Sequence, residues 1–232
     1  AKGSNITYDK DLEARGSMFG IEIRDSRSDK EMLDEAVQAA RQADVIVAAI
    51  GETSEFSGEC SSRSDLTIFD AQKDLLTALK ATGKPVVLVN FSGRPTVMNW
   101  ENANFPAILN VWFGGSEAGD AICDVLFGDK VPSGRLTVSM PKSVGQIPLY
   151  YNHLNTGRPQ PDGKPFVKFR SNYIDIDNNP LYPFGYGLSY TTFKYGPMQL
   201  DATSMTADGQ IKVTVPVTNT GSRDADEVVQ LY

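Results

Sequence analysis

Three glutamates follow an apolar segment of the chain and are the side chains best suited to chemistry. The apolar run 45–50 ends at a glycine, and Glu52, Glu55 and Glu59 come next. A short run rich in β-branched residues predicts a strand that is covered on both faces. Because ligands of open α/β sheets gather at the carboxyl ends of such strands, we expect the chemistry of the protein in this loop.

The elements that position this loop alternate between helix and strand. Ser28, followed by Glu31, predicts the N-cap of a first helix that precedes strand 45–50. Such alternation predicts an α/β fold, with a mostly parallel sheet and helices on both faces. The further predicted elements are a helix 70–80, a strand 86–90, a helix 96–102, a strand 107–112 and a helix 116–127.

The pattern of the sequence changes after residue 128. A short strand is predicted at 136–139, and an irregular stretch over 142–183 is too long for an ordinary surface loop. Apolar and polar residues alternate over 211–217, and a further strand is predicted at 228–232, as in antiparallel β-structure. Because two or three strands cannot close a sandwich core, we expect the chain to stop inside a second domain.

Composition and charge argue against several classes of protein. Of the 232 residues, 41% are hydrophobic and 22% are charged, as in soluble globular proteins. No segment approaches the roughly 20 apolar residues of a membrane helix, so no membrane partner is expected. The formal charge is −7 and no Lys and Arg cluster could neutralise a row of phosphates, which argues against nucleic acid.

Metal, thiol and nucleotide chemistry are also disfavoured. Cys60, Cys123 and His153 are not spaced as metal ligands, so we expect no metal site. Cys123 lies in a predicted helix and is interpreted as a buried small hydrophobe. Cys60 has no histidine near it in sequence, which argues against a thiol nucleophile. The glycines of 114–119 do not form a dinucleotide fingerprint, and no cofactor is expected.

Several ordered motifs resemble those of a known family. Their succession resembles the C-terminal half of family 3 glycoside hydrolases, near the periplasmic bacterial β-glucosidases, over nearly the whole chain. The motifs are Gly51-Glu52, Ser57-Gly58-Glu59, Arg63-Ser64-Asp65-Leu66, Phe113-Gly114-Gly115-Ser116-Glu117-Ala118-Gly119, Pro132-Ser133-Gly134-Arg135-Leu136, Tyr182-Pro183-Phe184-Gly185-Tyr186-Gly187-Leu188-Ser189-Tyr190 and Glu227-Val228-Val229-Gln230-Leu231-Tyr232.

The resemblance implies a division of labour between domains. In that family an N-terminal (β/α)8 barrel carries an Asp nucleophile, an α/β sandwich supplies a Glu acid/base, and a fibronectin-III-like domain often follows. On this basis residues 1–180 are the α/β sandwich without its first strand and helix, 181–195 a linker, and 196–232 the incomplete start of a fibronectin-III-like β-sandwich. The implied partners are the barrel of the same polypeptide and a β-linked oligosaccharide or glucoside.

The same resemblance assigns the proton donor. Retaining hydrolysis uses two carboxyl groups about 5 to 5.5 Å apart, one as nucleophile and one as acid/base. Glu59 matches the Gly-Glu acid/base position of the family, and Gly58 allows a sharp turn of the backbone. Glu52 or Glu55 is the proton donor if the loop folds differently.

Other residues near the loop have weaker assignments. Arg63 and Asp65 are predicted to support it as an ion pair, with an exposed bridge of small value as the alternative. Trp112 and Phe113, at the end of a predicted strand, are weak candidates for stacking on a sugar, since large aromatics at sheet ends are more often core. His153 is interpreted as structural, with a role in the site as the alternative.

The expected function is that of the acid/base domain of a retaining, exo-acting β-glucosidase, periplasmic or secreted, and inactive without its barrel. The same domain of a β-xylosidase or β-N-acetylglucosaminidase stays open, because barrel residues set the sugar. A different class is a non-catalytic sugar-binding or interaction module with a flavodoxin-like sheet. An acid/base domain needs a projecting loop, and we expect Thr53–Ser64 to be mobile without a partner domain.

Overall fold

The structure is a computed structural model that describes residues 27–52 and 56–232. Its described residues form two compact units. The first consists of the described residues up to 116 and Val138–Pro183, and the second of Glu117–Thr137 and Phe184–Tyr232. Among the described residues, no helix is both long enough and apolar enough to span a bilayer.

The first unit contains a three-stranded parallel sheet, which confirms the predicted α/β fold. The strands lie in the order β1-β2-β3, with Ile46 opposite Val86 and Val87 opposite Ala107. Helices and strands alternate along the chain, as the sequence pattern indicates. The elements are α1 (Asp29–Gln42), β1 (Ile46–Gly51), α2 (Asp70–Lys80), β2 (Val86–Phe91), α3 (Asn99–Asn104) and β3 (Ala107–Asn110).

The predicted start of α1 is confirmed in its atomic detail. The Ser28 hydroxyl accepts a hydrogen bond from the Glu31 backbone N–H, at 3.3 Å. In return the Glu31 carboxylate accepts one from the Ser28 backbone N–H, at 2.7 Å. This capping box satisfies two N–H groups that have no partner inside the helix.

The middle strand lies in the core, whereas β1 is covered on one face only. Val86, Leu88 and Val89 of β2 are at most 2% exposed. In β1, Ile46 is buried but Val47 is 50% exposed. The expectation that this strand is covered on both faces is therefore wrong within the described residues, because β1 is an outer strand and no described element packs over Val47.

Two element boundaries differ from the prediction for local reasons. The helix predicted to begin at residue 96 begins at 99, because the segment before it is held by other contacts. Thr96 accepts a hydrogen bond from Asn90, and the Val97 N–H donates to Leu66. Strand β3 ends at 110 rather than 112, and Trp112 has a left-handed φ of 50°, which a strand does not accommodate.

The end of the first unit is irregular, as predicted for 142–183. Within it are a 3-10 helix at Val144–Gln146 and an isolated bridge between Pro159 and Ser171. The strand predicted at 136–139 does not form, and a single antiparallel bridge joins Met140 to Tyr182 instead.

The second unit contains α4 and short antiparallel strands. Helix α4 (Ala118–Phe127) buries none of its residues, so the prediction that Cys123 is buried is wrong. The period-two pattern correctly indicates antiparallel pairing, but 228–232 forms no strand. A fibronectin-III-like domain here stays a prediction. The paired strands are β4 (Phe193–Tyr195) with β7 (Val217–Asn219) and β5 (Gln199–Leu200) with β6 (Val213–Thr214).

Candidate active-site loop

The first polar residue after β1 is a buried carboxylate. The side chain of Glu52 is 2% exposed, and its backbone N–H donates to the carbonyl of Phe91, at 2.8 Å, in the neighbouring strand. This contact extends the sheet by one residue and fixes where the loop begins. A charge removed from water to this extent requires compensation by nearby groups.

Two guanidinium groups and a hydroxyl provide that compensation. Arg63 donates to Glu52 Oε1 at 2.8 Å, and Arg94 Nη1 lies 3.2 Å from the same oxygen. The single proton of the Ser92 hydroxyl is shared between Glu52 Oε2, at 3.1 Å, and the Arg94 carbonyl, at 2.8 Å. Both carboxylate oxygens of Glu52 therefore contact groups of its own unit, and these contacts hold the start of the loop in place.

Arg63 and Asp65 support the loop through partners other than each other. Arg63 Nη2 donates to the carbonyl of Thr67 at 3.1 Å, and its guanidinium stacks 4.4 Å from the ring centre of Phe69. Asp65 accepts from the backbone N–H and the hydroxyl of Thr67, both at 2.9 Å. These hydrogen bonds lower the pKa of Asp65. The ion pair expected between Arg63 and Asp65 is thus replaced by Arg63 with Glu52.

Arg94 joins the two ends of the described part of the loop. Its Nη2 donates to the carbonyl of Phe56 at 2.7 Å and to the carbonyl of Ser61 at 2.8 Å. Hydrogen bonds thus tie the described part of the loop, 56–64, to its own unit, and the mobility of this loop stays a prediction. Thr53 and Glu55 lie outside the described residues.

Glu59 lies between those two tied positions, at the tip of the loop. It is exposed, and the turn around it closes with a hydrogen bond from the Ser61 N–H to the Gly58 carbonyl, at 3.3 Å. Gly58 has a φ of 107°, a backbone conformation that glycine adopts easily and that would be strained for a residue with a side chain. Cys60 also has a positive φ, 61°, and its thiol is exposed. The tip therefore presents a carboxyl group to the exterior of the unit.

Of the two predicted aromatic candidates, Phe113 lies near the loop. Trp112 is partly buried, whereas Phe113 is 55% exposed. A Cβ atom added to Gly93 would overlap the Ser57 hydroxyl and would lie 2.7 Å from the Phe113 ring. Ser57 and Phe113 therefore both pack against the turn that carries Arg94.

Other candidate groups are not gathered at this loop. Over 27–52 and 56–232, no three His, Cys, Asp or Glu side chains are arranged to hold a metal ion. The exposed His153 lies beside Tyr150, with ring centres 6.2 Å apart, in the irregular stretch.

The motifs in their order, the parallel sheet and the glutamate at the loop tip together agree with one family. Residues 5–190 match the family profile described as the glycosyl hydrolase family 3 C-terminal domain. The chain belongs to glycosyl hydrolase family 3.

Relatives from this family are enzymes with much longer chains. A periplasmic β-glucosidase of Salmonella typhimurium is 53% identical over 100% of this chain and 30% of its own length. A β-xylosidase of Formosa agariphila is 46% identical over 88% of this chain and 27% of its own. The crystal structure of a Listeria innocua β-glucosidase in complex with isofagomine matches with a TM-score of 0.77 and 38% identity, over 83% of this chain and 27% of that one. The chain spans between 18% and 30% of the length of the curated relatives it matches.

Sequence reasoning named Arg63 but missed two other residues that hold the family 3 loop in place. Ser92 and Arg94 follow β2 just as Glu52 follows β1. The carboxyl ends of neighbouring parallel strands lie at one edge of a sheet. The polar residues after β2 were therefore a sequence signal that these side chains would lie near Glu52. The hydrogen bonds from Arg94 to Phe56 and Ser61 could not be predicted in this way. Their acceptors are backbone carbonyls, which every residue has.

Proposed function

We propose that this chain is the acid/base domain of a retaining, exo-acting β-glucosidase, with Glu59 as its general acid/base. The nucleophile in this proposal is an Asp on an N-terminal (β/α)8 barrel of the same polypeptide. Membership of family 3 and the greater length of the relatives support this arrangement.

The observation that carries the proposal is the contrast between Glu52 and Glu59. The carboxylate of Glu52 is buried and has two guanidinium groups and a hydroxyl around it. Glu59 lies exposed at the tip of a loop that is tied on both sides. A proton donor must reach the oxygen of the departing group, and Glu59 is the described carboxyl group of this loop that is free to do so.

The chemistry then proceeds in two steps. The Asp attacks the anomeric carbon while Glu59 gives its proton to the glycosidic oxygen, so the C–O bond breaks and the alcohol leaves. Glu59, now a carboxylate, removes a proton from a water molecule as that water attacks the glycosyl-enzyme. Release of the sugar returns the Asp to its ionised form and Glu59 to its protonated form.

The substrate and location of the protein are part of the same proposal. The substrate is a terminal, non-reducing β-D-glucosyl residue, and the compartment is the periplasm or the exterior of the cell. The 53% identity to a periplasmic β-glucosidase supports both points. A β-xyloside is the second candidate, because the Formosa relative at 46% identity is a β-xylosidase.

Replacement of the proton donor in the full-length protein tests this function. With Glu59→Ala, kcat/KM for phenyl β-glucoside should fall by about a hundredfold to ten-thousandfold, because the phenoxide needs protonation. For dinitrophenyl β-glucoside kcat/KM should change little, whereas kcat should fall because the second step lacks its base. Azide should raise that kcat and yield β-glucosyl azide, since it attacks without general base help.

The control is Glu35→Ala, a glutamate on the surface of α1. This variant should keep the rates of the unaltered protein on both glucosides. Undiminished hydrolysis of phenyl β-glucoside by Glu59→Ala would contradict the role of Glu59 and would transfer it to Glu55 or another carboxyl group. If the protein prefers xylosides to glucosides, the proposed substrate is wrong and a β-xyloside takes its place. The role proposed for Glu59 is not affected by that result.

A further inference from the structure

One guanidinium group spans the turn that carries Glu59. Arg94 Nη2 donates to the carbonyls of Phe56 and Ser61, at 2.7 and 2.8 Å. These residues lie three positions before and two positions after Glu59. The distance between the two sides of the turn is therefore set by a single side chain from another part of the chain.

Arg94 is itself held at both ends. Its backbone N–H donates to the Ser92 hydroxyl at 3.1 Å, directly after β2. Its Nη1 lies 3.2 Å from Glu52 Oε1, and its side chain is 19% exposed. Because the fork of a guanidinium is rigid, the ion pair of Nη1 with Glu52 also orients Nη2.

The turn before Arg94 approaches the loop closely. Gly93 has no space for a Cβ atom, which would overlap the Ser57 hydroxyl. Ser57 lies between Phe56 and Glu59, so the backbone of this turn and the side chain of Arg94 contact the same part of the loop. The loop thus rests on the turn that directly follows β2, the most buried strand of the sheet.

We propose that Arg94 is a positioning residue for the glycosidase reaction, which acts by holding the turn that presents Glu59. This inference rests on the proposed function of Glu59. Glu52 serves as the buried counter-charge that orients Arg94. Proton transfer needs the carboxyl group within about 2.6 to 3.2 Å of the leaving oxygen, so a small shift of the turn removes acid catalysis while substrate binding and the nucleophile are left in place.

The test compares substrates that differ in their need for a proton. In the full-length protein, Arg94→Ala should lower kcat/KM for phenyl β-glucoside by about tenfold to a hundredfold, the scale of loss expected from a misplaced group. For dinitrophenyl β-glucoside kcat/KM should be nearly unchanged. Arg94→Lys should lie closer to Arg94→Ala than to the unaltered protein, because one ammonium group does not reproduce the fork. The control Arg41→Ala, at the exposed end of α1, should leave both rates unchanged.

A double substitution shows whether Arg94 acts through Glu59. If it does, adding Arg94→Ala to Glu59→Ala should cause no further loss on phenyl β-glucoside. Equal losses on both substrates, or an independent loss in the double variant, would overturn the positioning role. If Arg94→Ala does not give soluble, folded protein, the same comparison is made with Arg94→Lys. The quantity compared is again the ratio of kcat/KM for the two glucosides.

This outcome is separable from failure of the proposed function. If Glu59→Ala keeps its activity on phenyl β-glucoside, the assignment of Glu59 is wrong, and the role of Arg94 falls with it. If Glu59→Ala loses that activity while Arg94→Ala does not, the function stands and the inference about Arg94 alone is wrong.

Discussion

Gln72 and Gly51 form a reciprocal pair of hydrogen bonds between α2 and the end of β1. The side-chain amide of Gln72 donates to the Gly51 carbonyl at 2.8 Å, and its oxygen accepts from the Gly51 N–H at 3.0 Å. Gln72 is 2% exposed. Since β1 is an outer strand among the described residues, the amide takes the place of a neighbouring strand at its last residue.

Replacement of Gln72 should therefore destabilise the fold beneath the loop. Gln72→Ala leaves the N–H and the carbonyl of Gly51 without these partners, which should lower the free energy of unfolding by about 2 to 4 kcal/mol. Urea unfolding followed by circular dichroism measures the loss. Gln38→Ala makes the same change on the exposed face of α1 and should shift stability by less than about 0.5 kcal/mol. Equal effects of the two substitutions would mean that the amide pair contributes nothing.

The buried charge of Glu52 gives a second prediction. Glu52→Gln keeps the shape of the side chain but leaves the guanidinium groups of Arg63 and Arg94 without their counter-charge. Breaking a buried pair in this way should lower the free energy of unfolding by about 3 to 5 kcal/mol.

A surface carboxylate is the matched comparison. Glu35, on α1, pairs with Arg27, and the two side chains are 45% and 36% exposed. Glu35→Gln should cost less than about 1 kcal/mol, because water and salt screen such a pair. Urea unfolding of both variants under one set of conditions gives the comparison, and similar losses would show that Glu52 is as dispensable as a surface group.

Local signals in the sequence were enough for the elements that position the site. The capping box at Ser28 and Glu31 needs only residues three apart, and α2 was predicted at its observed bounds. Membership of the family also followed from the order of the motifs.

The interior of the site could not be read in the same way. The choice between Glu52 and Glu59 depends on burial, and burial of Glu52 depends on Arg94, which is 42 positions further along the chain. Parallel pairing of β1 with β2 brings these residues together, and no spacing rule encodes which side chain then meets which. The wrong expectation for Val47 has the same origin, because an apolar run does not reveal whether a neighbour covers both faces.

Glu101 predicts how stability depends on pH. This glutamate of α3 is 3% exposed, and burial raises its pKa above the ordinary value of 4.5. Because the folded-state pKa is the higher one, its contribution to stability is fully present below the ordinary pKa and is lost as pH rises through the raised pKa. Glu101→Gln cannot ionise, so its free energy of unfolding should rise relative to the unaltered protein as pH increases from 4.5 toward neutrality.

The pH dependence separates this effect from a change in packing. A packing change from Glu101→Gln offsets the two stability curves by a constant amount at every pH. Urea unfolding at several pH values, with Glu35→Gln as the exposed control, measures the difference. The free energy of unfolding of Glu101→Gln minus that of the unaltered protein should increase with pH, and a difference that stays constant or decreases would contradict the role of burial at Glu101.

The last prediction is that the purified 232-residue chain does not hydrolyse aryl β-glucosides. Retaining hydrolysis requires a second carboxylate about 5 to 5.5 Å from the acid/base, free to attack the anomeric carbon. Glu52 is not expected to serve as that nucleophile, because its side chain is 2% exposed and pairs with Arg63 and Arg94. Release of dinitrophenol from dinitrophenyl β-glucoside should therefore equal that of buffer and of the Glu59→Ala chain. A rate above buffer that Glu59→Ala abolishes would place a nucleophile within this chain and would overturn the assignment of that role to a separate barrel.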